Sequence, residues 1–227
     1  MVILNYKDFT FMKTKLVLLF SLLLLLSCSN KNAILPAFDL VNDNRLLAHI
    51  DVETTGLVPG YHEMIDIGLV ITDVQGNKVD SLFVLIQPEH PERLQQGAYD
   101  CNAFNAELWQ KRGALSIDEA VNEILSFHKR VCGDKQVLMI AYNSHFDAAF
   151  LDHLFRHADH SWREMYHYFV LDIPSMLWGM GYTDPLADEF MEFYHVEDEP
   201  HVAEFHTGIT GAMVNVRIYK ALMDLHK

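Results

Sequence analysis

Cysteine is scarce in this chain, with three in 227 residues (Cys28, Cys101 and Cys132), and none forms a CxxC pair or a Cys/His zinc spacing. A disulfide-stapled mini-domain and a structural zinc site are therefore excluded. Positive charge is scarce too: 17 Lys and Arg stand against 31 Asp and Glu, a formal net charge of -14. Tight binding along a nucleic-acid duplex rests on Lys and Arg meeting phosphates, so this surface argues against it. A local site where metal ions hold a phosphate remains open. What is present is globular in kind: 50% apolar, 11% aromatic and 21% charged residues exclude a disordered or fibrous chain. The length suits one domain of moderate size.

The N-terminus changes the cellular reading. Leu16 to Leu26 is apolar except for Ser21 and follows Lys13 and Lys15. The run is too short to cross a bilayer, which takes about 20 residues. A basic start, a short apolar core and then small polar residues is the layout of an export signal. Its end, Leu25-Leu26-Ser27-Cys28, resembles the lipobox of bacterial lipoproteins, which implies acylation of Cys28 and attachment to a membrane. Met12 is an equally good start, since Met12-Lys13-Thr14-Lys15 opens such a signal. The chain then divides into a signal segment (1–28), a polar tether (29–44) and one folded domain (45–227).

Within that domain the pattern alternates between strand and helix. Leu46 to Glu53, Ile65 to Thr72 and Val79 to Ile86 read as three strands in an antiparallel meander, the last two joined through Gln75-Gly76-Asn77. Pro88 to Asn105 reads as a loop. Ser116-Ile117-Asp118-Glu119 is a capping-box pattern opening a helix with Ile117, Val121, Ile124, Leu125 and Phe127 at helical spacing. Val137 to Tyr142 reads as a buried strand, Ser144 to Phe155 as a helix and Phe169 to Leu171 as a short strand. Helices near Pro185 to Tyr194 and Thr207 to Leu225 complete the chain.

Two segments carry chemistry. Asp51 and Glu53 sit two apart at the end of a hydrophobic strand, so both carboxylates project from one face. Neighbouring anions repel unless they share a cation. Thr54, Thr55 and Gly56 follow, and a glycine there allows close approach of backbone to a ligand. The second segment, Asn143-Ser144-His145-Phe146-Asp147-Ala148-Ala149-Phe150-Leu151, spans a strand-to-helix junction. Asn143 has the chemistry of an N-cap, Phe146, Phe150 and Leu154 are core at four-residue spacing, and Asp147 falls in the first turn.

Together, Asp51-Val52-Glu53-Thr54-Thr55-Gly56-Leu57 and Asn143-x-x-Phe146-Asp147-x-x-Phe150-Leu151 resemble the DEDD family of 3′→5′ exonucleases. The pattern is closest to the branch containing the proofreading subunit of bacterial DNA polymerase III, ribonuclease T and oligoribonuclease. The resemblance covers Leu46 to the C-terminus and implies an α/β, ribonuclease-H-like mixed sheet flanked by helices. It further implies two divalent ions, Mg²⁺ or Mn²⁺, on Asp51, Glu53 and Asp147, with His206 as general base. Thr54, Thr55, Gly56, Leu57, Asn143 and Phe146 would contact substrate. Substrates would be 3′ ends of single-stranded DNA or RNA, or short oligonucleotides, and relatives are often dimers.

The third motif departs from the family. In place of His-x-Ala-x-x-Asp-Ala stands His206-Thr207-Gly208-Ile209-Thr210-Gly211-Ala212, with Gly211 where the fourth carboxylate belongs. A second register would start at His201 and set His206 in the Asp place. Thr207, Thr210 and Glu204 are the neighbours able to offer oxygen instead. Two readings follow from Gly211: a working exonuclease, or a degenerate exonuclease-fold lipoprotein that binds nucleic acid or a partner without cleaving it.

Overall fold

Leu46–Thr54 (β1) alternates between two environments, and this alternation organises the domain. Ala48, Ile50 and Val52 belong to one core cluster, whereas His49 and Asp51 face the opposite side. The structure, a computed structural model, describes residues 44–225. The Leu16–Leu26 run, Cys28 and nearly all of the tether lie outside the described residues. Among those described, no helix is long and apolar enough to cross a membrane.

Met64–Asp73 (β2) and Lys78–Leu85 (β3) continue from β1 as the expected antiparallel meander. Val137–Ala141 (β4) and Tyr166–Asp172 (β5) add parallel strands on the other side of β1. The sheet order is β3-β2-β1-β4-β5. The helices are α1 (Gln96–Asn102), α2 (Ala106–Lys111), α3 (Ile117–Cys132), α4 (Ser144–His157), α5 (Ile173–Gly179), α6 (Asp188–Tyr194) and α7 (Gly208–Asp224). Residues of α3 and α4 close one core with Ile50, Val52, Ile67 and Leu69. Residues of α5, α6 and α7 close another over Leu47 and Ile140. The Ser116/Glu119 capping box forms as its pattern predicts.

The stretch from Pro88 to Asn105 is not simply a loop. It holds a 3₁₀ turn at Pro91–Arg93 and helix α1. That helix has no side-chain N-cap, is short, and ends at Ala103 in the left-handed region, so little in its sequence announces it. Helix α5 carries a proline in its first turn and is capped by Asp172, whose carboxylate accepts from the Ser175 amide at 3.1 Å.

The β1–β4 pairing covers Leu47 to His49 only. Beyond it the two parallel strands part, and the freed backbone finds side chains instead: Asn215 Nδ2 on α7 donates to the Ile50 carbonyl at 2.9 Å. An opening beyond the carboxyl ends of diverging parallel strands is where α/β sheets place ligands. Asp51 and Glu53 stand at that opening.

Candidate active site

The site is built where α7 begins against β1 and β2. No side chain fits between them: a Cβ on Gly208 would lie 2.5 Å from the Asp51 carbonyl oxygen, and one on Gly68 would lie 2.2 Å from the Gly208 carbonyl group. Asp66, fully buried on β2 opposite Glu53, anchors the helix start by accepting from the Gly208 amide at 2.8 Å. Its other oxygen has no hydrogen-bond partner among the described residues. Burial pushes the Asp66 carboxyl well above the usual carboxylate range, and Glu53 adds to that push.

The expected carboxylates come together. Asp51 is partly buried and Glu53 and Asp147 are buried. Asp51 is held well above its ordinary pKa by burial, then by Asp147, Glu53 and Glu199. Asp147 is raised by burial as well, although its carboxylate accepts from the Val52 amide. Glu53 Oε1 lies 3.0 Å from His206 Nε2, and Glu53 Oε2 accepts from Asn102 Nδ2 of α1 at 3.2 Å. His206 Nδ1 lies 3.2 Å from Glu199. The bonds to Glu199 and Glu53 carry the imidazole pKa up to about 11 against the opposing effect of burial. Without a cation on Glu53, the two flanking carboxylates favour the charged form of the ring.

This donor set fits hard divalent cations in its chemistry. All three carboxylates offer oxygen, and their buried charges repel until a cation joins them. The cage is not preformed: among the described residues no three His, Cys, Asp or Glu side chains are grouped to hold an ion. His206 supplies positive charge to Glu53 in this arrangement.

Several expected contact residues have other tasks. Thr54 Oγ1 donates to the Gly56 carbonyl at 2.7 Å, and Thr55 Oγ1 accepts from the Glu63 amide at 3.0 Å, so both buried hydroxyls shape the turn. A Cβ on Gly56 would meet the His62 ring at 2.5 Å, so what approaches this glycine is a side chain of the protein. Leu57 is 73% exposed at the rim, Asn143 is exposed and Phe146 is half-buried. Asn143 does not cap α4 with its side chain; it takes a left-handed backbone (φ 63°), and Asp172 accepts from the Ser144 amide at 3.0 Å instead.

Around the third motif, His206 lies two residues before α7, next to its N-cap Thr207, and a Cβ on Gly211 would point at Asp51, 2.3 Å from Oδ2. His201 is exposed and pairs with Asp198 at 3.0 Å. Glu204 is exposed, while Thr210 lies 2.9 Å from Glu199. The sequence reading missed Asp66, Asn102 and Glu199. A lone acid within Met64-Ile65-Asp66-Ile67 was a usable signal for the first. Glu199 stands in an acidic stretch where nothing distinguishes it from Glu197 and Asp198.

Residues 49–172 match the model of the family described as Exonuclease (RNase_T). Sequence comparison with curated proteins gives no match. Among solved structures, one of exonuclease I superposes with a TM-score of 0.63 at 12% identity, covering 80% of this chain and 43% of that one. The zinc-ion-bound complex of E. coli exonuclease I with single-stranded DNA gives 0.63 at 13%, covering 80% and 41%. Exonuclease I from Methylocaldum szegediense gives 0.54 at 15%, covering 80% and 42%. The chain spans less than half the length of these proteins. The shared feature is the ribonuclease-H-like fold, a mixed five-stranded sheet flanked by helices.

Proposed function

The chain belongs to the exonuclease family of the DEDD superfamily, and from that premise we propose that it is a metal-dependent 3′→5′ exonuclease acting on single-stranded nucleic acid or short oligonucleotides. The observation that carries this reading is the meeting of Asp51, Glu53 and Asp147 beside His206 at the open end of β1. E. coli exonuclease I supports it as a protein of the same fold studied with single-stranded DNA and with a zinc ion.

Asp51, Glu53 and Asp147 would hold two divalent ions, Mg²⁺ or Mn²⁺, which when bound stabilise the attacking and leaving oxygens of an in-line displacement. With Glu53 holding a cation instead of the ring, His206 would release its second proton to solvent, and the freed Nε2 would then take one from the attacking water. Exposed Leu57 and half-buried Phe146 would pack on terminal bases. The product is a nucleoside 5′-monophosphate. The acidic surface suits short substrates better than long ones.

A second reading, a degenerate fold that binds without cleaving, is favoured by Gly211, which removes one carboxylate from the family's set. Incubating the full-length protein with 5′-labelled and 3′-labelled single strands in Mn²⁺, and then in EDTA, separates the two. Stepwise shortening of the 5′-labelled strand with early release of 3′ label supports the enzyme. Binding without shortening supports the alternative.

Export and acylation at Cys28 belong to the same proposal, on the basic start, the short apolar run and Leu-Leu-Ser-Cys28. Labelled palmitate fed to a bacterial host should mark the wild type and not Cys28→Ser. Equal labelling of both removes the anchor.

A further inference from the structure

The segment between α6 and α7 brings one acidic side chain into the site from outside the family's motifs. Arg217 on α7 ties that segment down: its Nε donates to the Glu197 carbonyl at 2.6 Å and its Nη2 to the Asp198 carbonyl at 3.4 Å. The next residue, Glu199, turns inward. Its carboxylate lies 3.2 Å from His206 Nδ1 and 2.9 Å from the Thr210 hydroxyl, with the side chain 18% exposed. One helix therefore braces Glu199 in two ways, through Arg217 on the two preceding carbonyls and Thr210 on its carboxylate.

We propose that Glu199 is a positioning residue for His206, fixing the ring with Nδ1–H on its carboxylate and Nε2 directed to the reaction. This inference rests on the nuclease reading above. A neutral imidazole carries one N–H, and whichever nitrogen has a strong acceptor keeps it. Glu53 competes for the other nitrogen in this structure, but it is also a proposed metal ligand. Glu199 does not share that duty, so its bond persists when Glu53 turns away. The ring then presents Nε2 as the free base, in the tautomer that accepts a proton from water. Burial raises the Glu199 carboxyl, yet the bonds from His206 and Thr210 outweigh burial and leave it ionised more readily than usual.

The test compares the full-length wild type with Glu199→Gln, Glu199→Ala and Glu199→Asp on a 5′-labelled single strand in Mn²⁺. Loss of an orienting partner outside the ligand set typically costs about 10–100-fold. Glu199→Gln and Glu199→Ala should lose kcat by that factor with KM little changed, and Glu199→Asp should recover part of it. Two further readouts exclude simpler causes. The Mn²⁺-induced rise in melting temperature should survive in Glu199→Gln, and ¹⁵N spectra of the metal-free protein should show the His206 Nδ1–H signal altered in that variant. An active wild type with an equally active Glu199→Gln overturns the role of Glu199 alone. Loss of the Mn²⁺ effect makes Glu199 a direct ligand and overturns it too. A wild type that cleaves nothing overturns the nuclease reading and this one with it.

Discussion

The Asp51 carboxylate occupies the place where a side chain at Gly211 would begin: a Cβ there would stand 2.3 Å from Oδ2 and 2.6 Å from Cγ. From sequence, Gly211→Asp reads as a tolerated change that restores a ligand. The packing corrects this, because Asp51 must move before any residue larger than glycine enters.

In metal-free protein, Gly211→Ala should cost about 1–3 kcal/mol, as forced overpacking does, and Gly211→Asp at least as much. Mn²⁺ should return more of the loss to Asp than to Ala, since only Asp adds an oxygen. Thermal melts with and without Mn²⁺ measure both; equal metal responses would separate position 211 from the metal site.

Asp147 is expected to trade stability for function. Its folded pKa is raised above the ordinary 3.8, so its contribution to stability falls as pH climbs from that value through the raised one. Above the ordinary carboxylate range, keeping this carboxyl buried is a liability. Asp147→Asn should therefore melt a few degrees higher than wild type without metal and show a smaller Mn²⁺ shift. A lower metal-free melting temperature would count against buried repulsion at this site.

Asp66 holds α7 through one bond to the Gly208 amide. Asp66→Asn keeps an acceptor oxygen and should be nearly neutral. Asp66→Ala leaves a buried amide unpaired and should cost about 1–3 kcal/mol. Denaturant unfolding of the two variants gives the comparison, and equal values would show that the bond does not anchor the helix.

Acid should destabilise the protein through His128. Its Nε2–H donates to the Lys135 carbonyl at 2.9 Å, the Tyr166 ring packs edge-on against it, and buried Nδ1 has no partner among the described residues. Burial lowers its pKa below 6.5, despite the opposing bond to Lys135. The unfolded chain takes a proton that the fold refuses, so stability is lost as pH falls below that value, at up to about 1.4 kcal/mol per unit. His128→Gln should flatten this slope between pH 7 and 5. An unchanged slope assigns it to other groups.

Much of this was legible in the chain itself. Two-residue periodicity placed Asp51 and Glu53 on one face of β1, and the capping box and apolar spacing located α3, because both follow from local backbone geometry. Gly56 reads from sequence as room for a ligand and Asn143 as an N-cap, but their surroundings are not local: the His62 ring stands against Gly56, and Asp172 serves the helix that Asn143 precedes. Asp66, Asn102 and Glu199 reach the site from three other segments, and no spacing links them to the motifs. Local order follows from steric periods written into neighbouring residues. Which acids share a charge, which glycine makes room for Asp51, and which nitrogen of His206 faces which carboxylate depend on distances that exist only once the helix starting at Gly208 lies against β1 and β2.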